Sequence, residues 1–398
     1  MSSIPPDSGA QGSTASTVPS SPEIAVDGVR ADGTALRPAI GIAAVLVDDN
    51  PQDRIIAERL SDDGLACRSL VPRGTLDQLR AEILTLVEEG VADVVLLDYR
   101  LDDQRPDNGE PFSHRAGALA AELKEHRPQL PLVLLTTEAN LRQWVEVNPA
   151  IGPLFDLTVL KSELDTQVSR RNYAIAIGDL AVGFQQLDHF ASAGSLDWLH
   201  VAASIGLDET EAAAFAADWP DAPPGGFSDL VTAVLKGLLA ERPGPLLPFA
   251  DAAARLAIQP HALANVLEAA PRLRYTGPFA LLRPRIWRAR LDAAEAARRT
   301  ATIDETRPEG TAFATALASA EPQRCRVCEE QPSTQACALC RRGVDDRHYV
   351  VASELLRPAW SDPRAVCFAC IEDGAADDER FPSAARRIVE RLRAGESW

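Results

Sequence analysis

Four short apolar runs in the first half of the chain each deliver, at the carboxyl end, a polar residue suited to phosphoryl chemistry. ADVVLLDYR carries Asp98, IAAVLVDDN carries Asp48 and Asp49, PLVLLTTE carries Thr136, and FDLTVLKSE carries Lys161. A carboxylate can take a phosphoryl group covalently as an acyl phosphate. An anion must then approach an anion, so the site has to concentrate positive charge. Asp48, Asp49 and Asp98 together would hold Mg2+, a hard ion that prefers a few carboxylates, a carbonyl and retained waters. Lys161 would offer a mobile point charge to the phosphoryl oxygens, and the Thr136 hydroxyl would bond one of them once the group is attached. Catalysis of this kind is mostly positioning and electrostatics.

The elements that must position these residues are legible in the same runs. Each is short and rich in Val, Ile and Leu, as strands of a parallel sheet buried on both faces should be. Ligands of open parallel sheets bind at the carboxyl ends of the strands. The order acid pair, acid, hydroxyl, lysine resembles the receiver domain of two-component response regulators, over about residues 40–165. The resemblance implies a flavodoxin-like α/β domain with a five-stranded parallel sheet and Asp98 as the phosphoacceptor. It implies Mg2+ held by Asp48, Asp49, Asp98 and the backbone carbonyl of Arg100, with Thr136 and Lys161 binding the phosphoryl group. The implied partner is a histidine kinase or phosphotransfer protein. Three features depart from the family pattern: the polar stretch LDDQRPDNGEPFSHR after Asp98 is long, Ser162 follows Lys161 where a proline is usual, and Thr158 stands where the family often has an aromatic.

Length and composition set the outer limits. With 398 residues and 46% hydrophobic content the chain can build two or three cored domains. No stretch approaches the roughly 18 consecutive apolar residues of a membrane span, so no membrane association is expected. Residues 1–38 are rich in Ser, Pro, Gly and Thr without a basic start or apolar block, which reads as a disordered tail rather than a signal peptide. Six of the seven cysteines fall in CxxC pairs near the carboxyl end. That usage fits a reducing cytoplasm better than a disulfide scaffold.

The formal net charge of −18 argues against the whole surface binding nucleic acid. From Phe249 to Arg290, however, seven arginines face only Asp251 and Glu268, a local +5. There DLVTAVLKGLLAER, FADAAARLAI and HALANVLEAA read as three helices, and Leu263, Val266 and Leu267 give the third one apolar face. RLRYTG and PFALLRPRIW then read as two strands joined around Thr276 and Gly277. This order loosely resembles a winged helix, whose third helix enters the DNA major groove. On that reading His261 and Asn265 face bases, while Arg272, Arg274 and Arg283 contact the backbone. The candidate recognition helix carries no Arg or Lys, whereas reading guanine usually takes one. Between the two units, Ile177, Leu180, Phe184 and Leu187 form one packing stripe, Asp208 is a helix start, and His189 and His200 read as ordinary helix residues.

The second constellation is Cys325 and Cys328, Cys337 and Cys340, and Cys367 and Cys370, three CxxC pairs separated by eight and then twenty-six residues. A CxxC turn presents two thiolates to one Zn2+, and two such turns complete a tetrahedral site. Six thiolates with His348 make seven ligands. Two ions then need an eighth ligand, from Asp345, Asp346 or a shared sulfur; one ion would leave a pair spare. The spacing loosely resembles treble-clef and cross-brace fingers, and the zinc is expected to be structural.

The chain therefore divides into a tail (1–38), a receiver-like domain (39–168), a helical connector (169–225), a winged-helix-like domain (226–300), a linker (301–322) and a cysteine-rich zinc-binding domain (323–398). Two functions fit: a phosphorelay receiver whose output is transcriptional control through DNA, or a receiver adaptor that works through an effector protein in a multi-component bacterial signalling or defence system. No metabolic nucleophile, base or nucleotide loop is legible outside the receiver, so the chain is not expected to be an enzyme.

Overall fold

A computed structural model describes residues 41–50, 53–101, 115–147, 149–193, 199, 201–202, 205–218, 225–239, 245–300, 308–325, 328–329, 335–337, 342–344, 349–351 and 365–372. The tail, most of the polar stretch after Asp98, His200, Cys340, Asp345, Asp346 and His348 lie outside them. Among the described residues no helix is long and apolar enough to cross a membrane.

The N-terminal unit runs β1 (Ala43–Val47), α1 (Arg54–Asp62), β2 (Ala66–Leu70), α2 (Leu76–Glu88), β3 (Val94–Asp98), α3 (Ala116–His126), β4 (Leu132–Thr136), α4 (Glu138–Val147), β5 (Leu157–Leu160) and α5 (Gln167–Ala193). Its five strands are all parallel in the order β2-β1-β3-β4-β5, the flavodoxin-like arrangement, whose switch point lies between β1 and β3. The four apolar runs are β1, β3, β4 and β5. Alternation along them feeds two cores: Ala44, Leu46, Val94 and Leu96 pack with α1 and α5, while Val45, Val47, Val95 and Leu97 pack with α2 and α3. Strand β2, ACRSL, is an edge strand without fully buried residues, so it lacks the apolar run that marks the others.

Helix α5 is 27 residues long, and the boundary expected at 168 falls inside it. Its stripe of Ile177, Leu180, Phe184 and Leu187 is buried, as the spacing predicts, in the same apolar core as β1 and β3. That core continues into the following unit through Leu230, Leu235, Tyr275, Phe279 and Trp287. The later elements are α6 (Glu209–Asp218), α7 (Phe227–Val231) with a π-helical continuation over Thr232–Leu238, β6 (Leu246–Pro248), α8 (Phe249–Arg255), α9 (Leu263–Ala269), β7 (Arg285–Trp287), α10 (Arg288–Thr300) and α11 (Pro308–Ser319). They are followed by the short strands β8 (Gln335–Ala336), β9 (Gly343–Val344), β10 (Tyr349–Val351) and β11 (Ala365–Cys367), and by α12 (Phe368–Glu372). Asp208 caps α6 as expected, accepting the Glu211 amide at 2.8 Å while the Glu211 side chain accepts the Asp208 amide.

Two expectations are corrected here. The hairpin expected from RLRYTG and PFALLRPRIW is reduced to its base, where the Tyr275 amide donates to the Arg285 carbonyl at 2.9 Å. Pro271–Leu273 is a 3-10 turn, Arg274 meets Ile286 in a single bridge, and β7 instead pairs antiparallel with β6. The cause is packing on α5. Phe279 is fully buried with φ 64°, its ring edge-on to Phe184 at 6.0 Å and lying over Gly183, and Asp179 accepts the amides of Leu281 and Leu282 at 2.9 and 2.8 Å. A strand would have to give up these contacts. The linker expected over 301–322 contains α11, whose Phe313 is buried against Leu263, Val266 and Leu267 of α9.

This contact between α5 and residues 279–282 yields a stability prediction. A Cβ on Gly183 would lie 2.3 Å from two Phe279 ring carbons, so Gly183→Ala should destabilise the chain by about 1–3 kcal/mol, read as a lower midpoint of chemical unfolding. Burial pushes the Asp179 carboxyl up from 3.8 to about 6, so the folded state holds that proton more tightly than the unfolded one. The stability this gives is fully present below about 4 and is lost as pH rises through about 6. Asp179→Asn should flatten the thermal midpoint across that window; an unchanged slope would show that the carboxyl does not titrate there.

Candidate functional site

The site forms where β1 and β3 lie side by side. The pairing Val47 with Leu97 sets Asp48, the next residue, beside Asp98, and neighbouring strands are only about 4.8 Å apart. Asp98 in turn pairs with Leu135, and Thr136 with Leu160, so Thr136 and Lys161 follow one residue further along at the same edge. Asp48, Asp49, Asp98 and Thr136 are all buried, and the three aspartates bring carboxylate oxygens within 4.8 Å of one another. The residues singled out in the sequence are thus brought together at one end of the sheet.

Lys161 holds the group together. Its Nζ donates to Asp98 Oδ1 at 2.8 Å, to Asp48 Oδ2 at 3.1 Å and to Asp53 Oδ2 at 2.6 Å. The Arg100 amide donates to Asp98 Oδ2 at 3.1 Å and the Asn50 amide to Asp48 Oδ1 at 2.8 Å. Asp53 is the residue that sequence reasoning missed. It stands immediately before α1, where an acid is an ordinary helix cap, yet its side chain makes no capping bond and turns to the lysine instead. A cleft of about 380 Å³ beside Lys161 is lined by Asp53, Ile55, Ile56, Arg59 and Arg170 among others.

The electrostatics show what the arrangement lacks. Burial, and then the charge of Asp98, push the Asp48 carboxyl up to about 7 against the pull of Lys161. Burial likewise raises Asp98, with the charge of Asp49 adding to it and Lys161 opposing. Burial alone would lower the Lys161 ammonium, but Asp98 and Asp48 outweigh it and raise its pKa above the ordinary lysine value. Among the described residues these contacts set one ammonium, Lys161, against the carboxyl groups of Asp48, Asp53 and Asp98, with Asp49 beside them. Converging oxygen donors of that charge fit a hard divalent ion such as Mg2+.

The other predicted residues are dispersed. His261 and Asn265 are exposed on one side of α9 and the turn before it, with His261 Nε2 3.2 Å from a Glu321 carboxylate oxygen. Arg272 is exposed, Arg274 is half-buried at the bridge, and Arg283 donates to the Leu239 carbonyl at 3.2 Å. Of the cysteines, Cys337, Cys367 and Cys370 converge and are buried; Cys325 and Cys328 are not in that group.

Solved receiver domains match the N-terminal segment of the chain, and the rest is unassigned. A response regulator receiver domain protein from Clostridium thermocellum is 16% identical, with 37% of this chain and 98% of that one covered at a TM-score of 0.26. The receiver domain of NtrX from Brucella abortus is 21% identical over 33% of this chain and 97% of its own, TM-score 0.24. RcsB from Salmonella enterica serovar Typhimurium, solved bound to promoter rprA with phosphomimetic BeF3-, is 13% identical over 44% and 88%, TM-score 0.24. No protein-family model matches the chain, and no curated protein does.

The charge balance gives the second prediction. Since Asp48 must be ionised to bind a cation and holds its proton up to about 7, Mg2+ affinity should rise with pH through about 7 and binding should release protons. Calorimetry in buffers of different ionisation enthalpy measures both. Asp49→Ala should weaken Mg2+ roughly tenfold or more as a direct ligand is lost. Asp53→Asn, which removes one outlying charge, should weaken it only a few-fold. Affinity independent of pH would contradict the elevated Asp48.

Proposed function

We propose that the chain is a signal receiver in which Asp98 accepts a phosphoryl group from a histidine kinase or phosphotransfer protein. The supporting observation is the convergence of buried Asp48, Asp49 and Asp98 on Lys161 at the switch point of a 2-1-3-4-5 sheet. In the transfer the donor's P–N bond breaks and a P–O bond forms to Asp98, whose carboxylate is ionised at the start. Mg2+, held by Asp48, Asp49, Asp98 and the Arg100 carbonyl, supplies charge neutralisation when bound. Lys161 is already on Asp98 and moves with the developing charge to the phosphoryl oxygens. Thr136, at the end of the neighbouring strand, donates its hydroxyl to one of them. The donor protein approaches over the cleft at Asp53 and the exposed Ile55. The role is regulatory rather than metabolic, and a cytoplasmic location follows from a kinase partner and reduced cysteines.

For output, the order α7, β6, α8, α9, bridge, β7 supports a winged-helix-like unit, with Asn265 on the exposed side of α9 and His261 in the turn before it, and transcriptional control as the reading. A specific observation favours the adaptor alternative. Arg283 and Arg285 both donate to the Leu239 carbonyl, and Arg290 pairs with Glu211, so much of the +5 segment is engaged inside the fold. The cysteine pairs are read as structural Zn2+ ligands for one or two ions.

Incubation with a small phosphodonor and Mg2+, followed by intact mass, should give one base-labile adduct that Asp98→Asn abolishes. An adduct surviving in that variant would sink the assignment. If the output is DNA, retention on duplex should fall steeply with salt, and Arg272→Ala should weaken it and reduce the slope by roughly one. Arg272, Arg274 and Arg283 replaced together should weaken all duplexes alike, whereas His261→Ala and Asn265→Ala should change sequence preference. No salt-sensitive retention at low ionic strength leaves the adaptor reading.

A further inference from the structure

The CxxC spacing leaves open which pairs share an ion; the structure narrows the choice. The Sγ atoms of Cys337, Cys367 and Cys370 all lie within 4.8 Å of one another, with Cys337 and Cys370 3.8 Å apart, and none of the three is more than 4% exposed. The Cys367 amide donates to Cys337 Sγ at 3.4 Å, a bond that favours a thiolate as acceptor. None of the three is in a disulfide among the described residues. Three buried thiols this close would repel as thiolates, so their convergence calls for a soft cation at the centre.

The scaffold explains the convergence. Cys337 follows β8, which pairs antiparallel with β9, and its amide donates to the carbonyl of Arg342, the residue before β9, at 2.8 Å. Cys367 ends β11, paired with β10, and Cys370 lies one turn into α12. A thiol at a strand loop therefore faces two at a strand-to-helix junction. The hairpin that carries Cys337 is fixed to α8 as well. The Ala336 amide meets Asp251 Oδ1 at 3.4 Å, Ala336 packs with Ala250 and Ala254, and the Gly343 amide donates to Gln323 at 3.0 Å.

We infer that Cys337, Cys367 and Cys370 share one Zn2+ and that this ion ties the β8–β9 hairpin, which packs on α8, to β11 and α12 without using Cys325 or Cys328. The inference rests on the reading of the cysteines as structural metal ligands. Cys340 lies outside the described residues and is the sequence's candidate for the fourth thiolate. Loss of the ion frees the hairpin and uncovers the alanine face of α8.

The test uses the full chain as purified, with zinc quantified per chain and each cysteine's alkylation mapped by peptide mass before and after chelation. The expected result is that metal protects Cys337, Cys367 and Cys370 together, that Cys325→Ser with Cys328→Ser keeps this protection, and that Cys367→Ser loses it at Cys337 and Cys370. Hydrogen exchange at α8 should rise on chelation and stay low in the Cys325/Cys328 double variant. That double variant keeps the inference testable if Cys367→Ser does not fold. Metal present but lost, with protection of the three cysteines, in the double variant would overturn the inference while leaving the zinc reading intact. A chain that holds no metal at all overturns both.

Discussion

Three buried carboxylates cannot share one end of a sheet without positive charge nearby, and the geometry of the N-terminal unit follows from that constraint. Asp48, Asp49 and Asp98 meet because β1 and β3 are neighbours although far apart in the chain. Burial makes their mutual repulsion strong, since charges interact more strongly out of water. Lys161 relieves part of it, and Asp53 takes up part of Lys161 in turn. Burial first, and then this repulsion, keeps the Asp48 and Asp98 carboxyls raised against the pull of Lys161. A site in this condition responds to any added charge. A cation would relieve it, and an added anion would compete with the carboxylates for Lys161.

The second constraint is α5. Its buried stripe closes one face of the parallel sheet and also forms the floor on which residues 275–287 fold. A helix that serves two units permits no loose joint between them. Phe279 tolerates a left-handed backbone only because Gly183 leaves space for its ring, and Asp179 satisfies two amides that a strand would otherwise have paired. Hairpin arginines that would be expected to reach outward are thereby brought near the Leu239 carbonyl.

How much of this was legible in the sequence depended on whether the signal was local. Strands β1, β3, β4 and β5 and their terminal polar residues were readable because burial on both faces imposes unbroken apolar runs. Edge strand β2 was not, because ACRSL has one side open and no run to detect. The stripe on α5 was legible from its 3.6-residue period, but its second role was not: nothing in GDLAVG reveals that Asp179 and Gly183 meet residues a hundred positions later. Asp53 carries no signal of its own, because an acid just before a helix is common and its contact with Lys161 spans more than a hundred residues. The hairpin was misread for the same reason, since β propensity in RLRYTG was overruled by the packing of Phe279. The CxxC pairs announced a metal, and only the fold could group Cys337 with Cys367 and Cys370.

These contacts also limit how a change at Asp98 could be felt elsewhere. Lys161 begins a 3-10 turn that runs to Leu164, and Glu163 in that turn accepts the Leu160 amide at 3.1 Å and the Tyr173 hydroxyl at 2.6 Å. Tyr173 lies on α5, two turns before Asp179. Lysine, turn, helix and the 279–282 segment are therefore joined by named contacts. Contiguity alone is not coupling; coupling requires an element with two arrangements of similar energy. The segment 279–282 carries a strained Phe279 backbone and rests on Asp179 of α5, a buried carboxyl that accepts two of its amides. Helix α5 is continuous through this region and offers no hinge, so a shift of Lys161 would act on that segment by moving the helix as a body rather than by bending it.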